Sequence, residues 1–279
     1  MNPIVHHPLN IELGPIDLTG FGIAVLAAFV VSQIIGQSEL LRRGHKSDAD
    51  AIPDLILASV IGTLIGGKLY FAFIVEQDWR MLFSRAGFVF WGGFIGSVIA
   101  CWIVINRKKL SFARFADVGG ICIAAGYSVG RTGCWAVGDD YGRPWDGPLA
   151  VMFPEGIPPS TAASMNAAFG TPIPEGISPG TVLAVHPTQL YETALGFIMF
   201  LVLLRFRNHR HAEGWLFGMY LVLAGAERFL IEFFRVKDDR WFAGLTLAQA
   251  IAVAIVIAGF AVMRARQETG PGRPGILAA

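Results

Sequence analysis

Two arginines lie in stretches of the chain that are apolar enough to cross a lipid bilayer. Arg131 lies next to the end of the stretch 115–132, and Arg228 lies inside the stretch 214–234. A guanidinium keeps its proton even in such surroundings, so each arginine requires an anionic partner. Planar guanidinium groups form paired hydrogen bonds to phosphate oxygens, and an anionic phospholipid headgroup is a natural ligand. Both arginines are therefore candidate phosphate-binding residues.

A carboxylate in the same helix offers Arg228 a partner. Glu232 follows Arg228 by four residues, so both side chains share one helix face and can form an ion pair. The pair can simply neutralise itself inside the membrane. Alternatively, it can orient Arg228 toward a ligand. The second interpretation needs another cation nearby, and Arg131 supplies it, because both predicted helices run outward and place their arginines at similar depth.

Polar residues also gather where the fifth apolar stretch begins, in the segment 186–192 (HPTQLYE). Pro187 suits the first turn of a helix, which favours a capping role for the segment. Capping does not explain why several other polar side chains occur at the mouth of an apolar helix, so a substrate-binding role is equally open. These side chains are His186, Gln189, Tyr191 and Glu192.

About seven apolar stretches must position these residues. A soluble chain does not normally combine 54% hydrophobic residues with only 15% charged residues, as this chain of 279 residues does. We therefore predict an all-α polytopic membrane protein that forms a single transmembrane domain over residues 1–279. The predicted spans are roughly 18–36, 52–75, 87–105, 115–132, 187–204, 214–234 and 243–263.

The distribution of lysine and arginine predicts the orientation. Thirteen of the 22 lie in one alternating set of connections, and the opposite set holds six, including Arg80, Arg85 and Lys237. Because positive charge accumulates on the cytoplasmic side, the N-terminus should lie outside and the C-terminus in the cytoplasm. A formal net charge of +1 also argues against a nucleic-acid partner.

The longest connection, residues 133–186 between spans four and five, lies on the outer side in this topology. Its first part is rich in aromatic and charged residues, whereas 154–180 is rich in Pro, Gly, Ser and Ala. We expect a lid at the lipid headgroups, with an ordered motif followed by a mobile loop. The three cysteines form no CxxC pair, so the sequence indicates neither a metal site nor a disulfide.

Glycines recur in spans two and three, where Gly92 and Gly93 follow Trp91. Small residues allow helices to approach closely, and tight packing is the simpler interpretation. The same glycines could instead clear space for a lipid. Trp91 itself is most simply an interfacial or packing aromatic.

Taken together, the motifs resemble those of the bacterial prolipoprotein diacylglyceryl transferase family, and the resemblance covers almost the entire chain. The HPTQLYE segment is the most specific element. The family transfers the diacylglyceryl group of phosphatidylglycerol to a lipobox cysteine of a prolipoprotein at the outer face of the bacterial inner membrane. The resemblance implies no cofactor and no metal. The other matching segments are GRTG (130–133), GDDYGR (138–143) and RFLIEFFR (228–235).

The resemblance also implies roles for individual residues. Arg131 and Arg228 would hold the phosphate of phosphatidylglycerol or another anionic phospholipid, and Glu232 would orient Arg228. Asp139 stands where the family usually has a glutamate and would be catalytic. The implied substrate-binding residues are Gly142, Arg143, Gly92 and Gly93, together with His186, Gln189, Tyr191 and Glu192.

The chain departs from the family at four positions. Trp91 replaces a histidine that is the usual candidate base, and indole cannot accept a proton. Cys134 and Val137 replace two asparagines, and Phe21 replaces a tyrosine. Each replacement removes a polar group from the expected site.

These departures leave several readings open. The protein can be a lipoprotein transferase with another base such as His186 or Asp139, a relative that uses a different acceptor, or a non-catalytic phospholipid-binding protein. Cys134 could itself be a nucleophile, although a small residue in place of asparagine is the simpler interpretation. A lipid flippase or carrier is disfavoured because the polar motifs cluster on the outer side.

Overall fold

A computed structural model describes residues 4–13, 16–84, 87–173, 175–236, 240–242 and 244–267 of a mostly helical chain. Arg85, Lys237 and the tail after Gln267 lie outside the described residues. The helices are α1 Gly20–Arg42, α2 Lys46–Ala49, α3 Ile52–Tyr70, α4 Phe90–Arg107, α5 Phe112–Val137, α6 Ala162–Phe169, α7 Thr188–Phe206, α8 Trp215–Ile231 and α9 Leu247–Ala265. The chain divides into two compact units, one formed by Met1–Ser32 with Gly120–Ala279 and the other by Gln33–Gly119.

Five of the described helical segments are long and apolar enough to cross a membrane, as expected of a multi-pass membrane protein. They are Gly20–Arg42, Lys46–Val75, Phe90–Arg107, Thr188–Phe206 and Leu247–Ala265. Two further helices coincide with predicted spans but are interrupted by polar residues or are shorter: α5 contains Asp117 and Arg131, and α8 has 17 residues with Glu227 and Arg228. These are the two helices that carry the predicted phosphate-binding arginines.

The unit Gln33–Gly119 is built on close contact between α3 and α4. A Cβ atom at Gly66 would collide with the carbonyl oxygen of Gly92, and one at Gly96 would collide with that of Gly62. Only glycine allows two helix backbones to approach so closely. The packing interpretation of these glycines therefore agrees with the structure, and Gly92 and Gly93 are buried in this contact.

Ion pairs connect elements of the same unit. Asp48 of α2 pairs with Arg114 of α5, and Asp54 of α3 pairs with Lys108 after α4. Lys68 donates to the backbone carbonyl of Ser84 at 2.6 Å. The ion pair with Lys108 thus gives the half-exposed carboxylate of Asp54 a counterion.

Short strands in the other unit modify the predicted all-α fold. They are β1 Ile4–Val5, β2 Asn10–Leu13, β3 Ile16–Thr19, β4 Val151–Met152, β5 Ala184–Val185, β6 Arg240–Phe242 and β7 Leu245–Thr246. Strand β4 lies between β1, its parallel neighbour, and β5, its antiparallel neighbour. The pairs β2–β3 and β6–β7 are antiparallel.

The connection 133–186 has more regular structure than expected. Its two strands and α6 surround a hydrophobic cluster, in which Phe153 and Met165 have no exposed surface. Thr161 caps α6 by accepting from the backbone N–H of Ser164. The part predicted as a mobile loop thus contains a capped helix whose Met165 is buried, because its alanines and methionine supply an apolar face that composition alone did not reveal. The other members of the cluster are Tyr141, Val151 and Val185.

Contacts along α5 bring it against α7 and α8. Gly196 of α7 lies so close to α5 that a Cβ atom would be 3.0 Å from the Tyr127 ring and 3.2 Å from the backbone of Ser128. Ser128 donates to the carbonyl of Thr193 at 2.8 Å. A Cβ at Gly120 would lie 3.0 Å from Cβ of Tyr220 in α8. This packing fixes the faces of the three helices that carry charged residues.

Candidate functional site

Arg131 is the centre of a buried charge cluster in the C-terminal half of α5. Its guanidinium forms an ion pair with Glu192 of α7 and a second one with Asp140 at 3.0 Å. Its Nη1 also lies 3.2 Å from Sγ of Cys134, one helical turn further on. Arg131 is 12% exposed and Glu192 is 4% exposed, so this pair is shielded from water. The arginine that the sequence predicted to need an anionic partner thus has two.

Asp140 links Arg131 to a second group of charges. One carboxylate oxygen pairs with Arg131, and the other lies 3.8 Å from Arg235. Although partial burial opposes ionisation, Arg235 and Arg131 lower the pKa of the Asp140 carboxyl below its ordinary value. Asp140 has a φ of 53°, a left-handed conformation that aspartate tolerates better than most residues. The backbone turn after α5 therefore directs this carboxylate between two guanidinium groups.

Arg228 forms the ion pair that its spacing from Glu232 allows. Its Nη2 lies 2.7 Å from Oε2 of Glu232, and Arg235 Nε approaches the same oxygen at 3.9 Å. Glu232 is 3% exposed, whereas Arg228 is 34% exposed. Asp140 also experiences the charge of Arg228. Arg131 and Arg228 are therefore members of one network that runs through Asp140, Arg235 and Glu232.

The HPTQLYE segment supports this network in several ways. Thr188 donates to the backbone carbonyl of Asp140 at 2.6 Å, and Gln189 donates to that of Asp139 at 2.5 Å. Both side chains are fully buried. Glu192 is the counterion of Arg131 described above. The segment thus starts α7 and also holds the turn that carries two aspartates, so the capping interpretation accounts for only part of it.

His186 and Tyr191 belong to an aromatic group beside the charges. The His186 ring stacks on Trp145 with centroids 4.2 Å apart, and its Nδ1 lies 3.2 Å from the Tyr191 hydroxyl. Phe234 packs against both rings. Partial burial lowers the pKa of His186 below its ordinary value, which favours the neutral imidazole.

Gly142 and Arg143 connect the turn to the end of α8. A Cβ atom at Gly142 would collide with the carbonyl oxygen of Phe234 and lie 2.8 Å from Cβ of His186. Arg143 donates from its backbone to Phe234 O at 2.9 Å and from Nε to Arg235 O at 2.6 Å. These contacts show why a glycine fits at position 142. They also place Arg143 beside the backbone of Arg235.

Asp139 occupies a different environment from its neighbour. Burial raises the pKa of its carboxyl to about 6, against the opposing effect of a hydrogen bond with Cys134. One carboxylate oxygen, Oδ1, is buried without a hydrogen-bond partner among the described residues. Ligand atoms of Cys134, Asp139 and Asp140 lie within 4.8 Å of one another. The Arg131 guanidinium, itself a cation, contacts two of these three side chains, Cys134 and Asp140.

Two residues to which the sequence gave no role complete the cluster. The hydroxyl oxygen of Tyr127 lies 3.0 Å from Oε1 of Glu192 and 3.1 Å from Oε1 of Glu227. Glu227 is 9% exposed. Tyr127 precedes Arg131 by four residues, so helical spacing could have placed it on the same face. Asp140 and Arg235 were quoted in motifs, but nothing in the sequence indicated that they pair.

The other site residues predicted from the sequence make no described contact with the charge cluster around Arg131. Trp91, Gly92 and Gly93 belong to the unit Gln33–Gly119, where Trp91 is exposed at the start of α4. Phe21 is also exposed, on α1, with its backbone 3.2 Å from a Cβ placed at Gly133. Val137 is buried at the end of α5.

Comparisons with known proteins agree with the motifs. A family model described as prolipoprotein diacylglyceryl transferase matches residues 8–265. A phosphatidylglycerol-prolipoprotein diacylglyceryl transferase of Xanthomonas oryzae pv. oryzae (strain PXO99A) is 31% identical over 269 residues, covering 92% of this chain and 90% of the relative. Proteins of the same name from Bordetella parapertussis and Stenotrophomonas maltophilia are 28% and 29% identical, each over at least 90% of both chains.

Proposed function

The chain belongs to the prolipoprotein diacylglyceryl transferase family, and we infer that it transfers a diacylglyceryl group from phosphatidylglycerol to the thiol of a lipobox cysteine in a prolipoprotein. The single observation that carries this function, beyond family membership, is the network that joins Arg131 to Arg228. It concentrates three guanidinium groups around carboxylates on an otherwise apolar set of helices. Such a cluster can bind the phosphate headgroup of a phospholipid whose acyl chains lie in the bilayer.

The two arginines differ in how they can meet a phosphate. Arg228 is about one third exposed and has Glu232 as its ion-pair partner, so a phosphate can add to its free side. Arg131 is more enclosed and holds both Glu192 and Asp140, so a phosphate must replace one of these carboxylates. Asp140 is the more exposed of the two. We expect Asp140 to turn away when the lipid binds.

The chemistry is a displacement at carbon. The acceptor thiolate attacks the glycerol carbon that carries the phosphate, a C–S bond forms, and the C–O bond to the phosphate breaks. The electron pair of that bond passes to the departing glycerol phosphate. Positive charge already fixed beside the phosphate stabilises the charge that develops on it, which is electrostatic catalysis.

The thiol must lose its proton before attack, because the thiolate is the nucleophile. Trp91 cannot accept it. Of the two other bases that the sequence offers, Asp139 has the better chemistry: its pKa of about 6 leaves it ionised at neutral pH, and one of its oxygens has no described partner. His186 is neutral and has Nδ1 engaged with Tyr191. We assign the proton acceptor to Asp139.

The proposal includes a topology. Seven membrane-spanning helices, α1, α3, α4, α5, α7, α8 and α9, form one transmembrane domain in the bacterial inner membrane, with the N-terminus outside and the C-terminus in the cytoplasm. Residues 133–186 then lie on the outer side as a lid over the arginines. The unequal distribution of lysine and arginine supports this orientation.

The substrates provide the direct test. Purified protein is given phosphatidylglycerol with a labelled acyl chain and a lipobox peptide, and the labelled peptide is measured. Matched controls are a peptide with serine in place of cysteine and labelled phosphatidylcholine as the lipid. We expect product only with the cysteine peptide and phosphatidylglycerol. Product that does not depend on the cysteine would indicate another acceptor.

One observation favours a second candidate, a phospholipid-binding protein without transfer activity. Trp91, Cys134 and Phe21 stand where the resemblance implies polar side chains. In that case the protein would retain labelled phosphatidylglycerol but form no labelled peptide at any enzyme concentration.

A further inference from the structure

Glu192, Tyr127 and Glu227 form a continuous polar contact inside the helix bundle. The Tyr127 hydroxyl oxygen lies between the two carboxyl groups, at 3.0 Å from Glu192 and 3.1 Å from Glu227. The three residues come from α7, α5 and α8. Glu192 and Glu227 are both buried. A contact of this kind between two buried carboxyl groups is uncommon and demands an explanation in terms of protons.

The hydrogen bonds determine how many protons the group must hold. A tyrosine hydroxyl carries one proton and can donate it to only one of the two carboxyl groups. The other contact is favourable only if that carboxyl group is itself protonated and donates to the tyrosine oxygen. The three side chains therefore share two protons, one more than the hydroxyl provides.

The surrounding charges decide where the additional proton resides. Glu192 forms an ion pair with Arg131, which stabilises its carboxylate. Among the described residues Glu227 forms no ion pair, and a buried carboxylate without a cation is strongly disfavoured. Tyr127 then donates to Glu192 and accepts from Glu227.

We propose that Glu227, Tyr127 and Glu192 form a proton relay, which stores one proton on Glu227 and delivers it through Tyr127 to Glu192 when a phosphate binds Arg131. The proposal rests on the function proposed above. A phosphate that takes the place of Asp140 on Arg131 shares the guanidinium with Glu192, which weakens the pairing of Glu192 and places two anions side by side. Transfer of two protons along the relay moves the negative charge to Glu227, two hydrogen bonds away from the phosphate.

The relay also balances the reaction. When the C–O bond breaks, the departing glycerol phosphate gains a negative charge and takes the proton from Glu192, which becomes a carboxylate again and pairs with Arg131. Glu227 is left ionised and is reprotonated after the product leaves. Asp139 accepts the proton of the acceptor thiol and releases it after turnover, and this proton balances the one that Glu227 takes up. Of the three relay residues only Glu192 contacts the substrate, whereas Tyr127 and Glu227 act through Glu192.

Kinetics of two variants test the relay. Glu227→Gln keeps the size of the side chain and its hydrogen bond but cannot release a proton in this way, and Tyr127→Phe breaks the connection. We expect each to lower kcat roughly tenfold with little change in KM for phosphatidylglycerol, a small effect for acid catalysis because a phosphate is already a good leaving group. The double variant should be no slower than either single variant, because one pathway cannot be interrupted twice.

The pH dependence separates a relay from a structural role. The charged and titratable groups that face the relay are Arg131 from α5 and Arg228 and Tyr220 from α8, with Asp139, Asp140 and Arg235 acting on Glu192. Asp139 is unchanged in both variants, so its titration contributes equally to each pH profile. At low pH, solvent protons can replace the stored proton. The loss in kcat should therefore grow as pH rises from 6 to 8, whereas a structural defect would give a constant loss. Tyr220→Phe, which removes a nearby hydroxyl outside the relay, should retain the wild-type profile.

An infrared measurement tests the stored proton without turnover. The wild-type protein should show the carbonyl band of a protonated carboxyl group, absent in Glu227→Gln and altered when glycerol phosphate is added. Absence of that band from the wild type would overturn the proposal, even if the protein transferred no lipid. Wild-type kcat and pH profile in both variants would overturn it as well, and would leave the proposed transfer reaction intact.

Discussion

Helices pack together in two different ways in this protein, in the contact between α3 and α4 and in the charge cluster around Arg131. In the first, Gly66 and Gly92 let two backbones touch. In the second, side chains from α5, α7 and α8 bury carboxylates against guanidinium groups. Glycine packing is sufficient to hold membrane helices together. Helix packing therefore does not require a buried charge network, and the presence of one indicates a role in substrate binding or catalysis.

The largest expected effect in this comparison comes from Arg228→Ala. We expect a loss of transfer of about a thousandfold, because an electrostatic group next to the leaving phosphate is removed. Glu232, which is 3% exposed, would lose its closer ion-pair partner and keep only Arg235 at 3.9 Å, so the variant should also unfold at a lower temperature. Transfer assays and thermal unfolding in detergent measure the two effects.

A double variant separates the loss of transfer from the loss of stability. Arg228→Ala combined with Glu232→Gln removes the carboxylate that has lost its close partner, so it should recover thermal stability without recovering transfer. Recovery of both would mean that Arg228 serves only to neutralise Glu232. Arg107→Gln, at an exposed position on α4, is the control for loss of one positive charge.

Gly66→Val should break the contact between α3 and α4. The new side chain would collide with the Gly92 carbonyl, and overpacking typically costs about 1–3 kcal/mol. We expect a lower thermal midpoint and less monodisperse protein. Gly119→Ala is the matched control, because nothing lies within 4 Å of a Cβ there. If the two variants behaved alike, the close contact would not be important for stability.

Asp139→Asn should have a smaller effect on the free energy of unfolding, and this effect should depend on pH. The carboxyl has a pKa of about 6 in the folded protein and about 3.9 when unfolded, so the folded state binds more protons in between. Stability of the wild type must then fall as pH rises through this window. The variant should match the wild type below pH 4 and exceed it by about 1–2 kcal/mol above pH 6. Equal stability at both ends would contradict the raised pKa.

Cys134→Ser should have the smallest effect. The thiol is 7% exposed and contacts Arg131 and Asp139, contacts that a hydroxyl can also make. We expect transfer within about threefold of the wild type, since the change is nearly isosteric. A complete loss, together with a labelled lipid attached to Cys134 in the wild type, would support the alternative in which this cysteine is the nucleophile.

The sequence predicted the helices well because apolar runs of membrane length are a strong signal. The stretch 52–75, for example, corresponds to α3 and the π-helical turn Phe71–Val75 that follows it. The short strands were not predicted, because two residues such as Val151 and Met152 carry no periodicity. Similarly, α6 lies in a segment whose proline and glycine content is typical of loops.

Within the site, residue types were easier to predict than partners. The spacing of Arg228 and Glu232 predicted their ion pair because both lie on one helix. The pairing of Arg131 with Glu192, and that of Tyr127 with Glu227, depends on how different helices are rotated against each other. A single sequence holds no direct record of that rotation, so Asp140, Arg235, Tyr127 and Glu227 became visible only in the structure.

The central claim, that Arg131 and Arg228 hold one phosphate for transfer, is tested most directly by measuring labelled phosphatidylglycerol binding and transfer together in the wild type, Arg131→Ala and Arg228→Ala. The two-arginine site predicts that each variant binds the lipid more weakly and forms almost no labelled lipobox peptide. Wild-type transfer by either variant would contradict it.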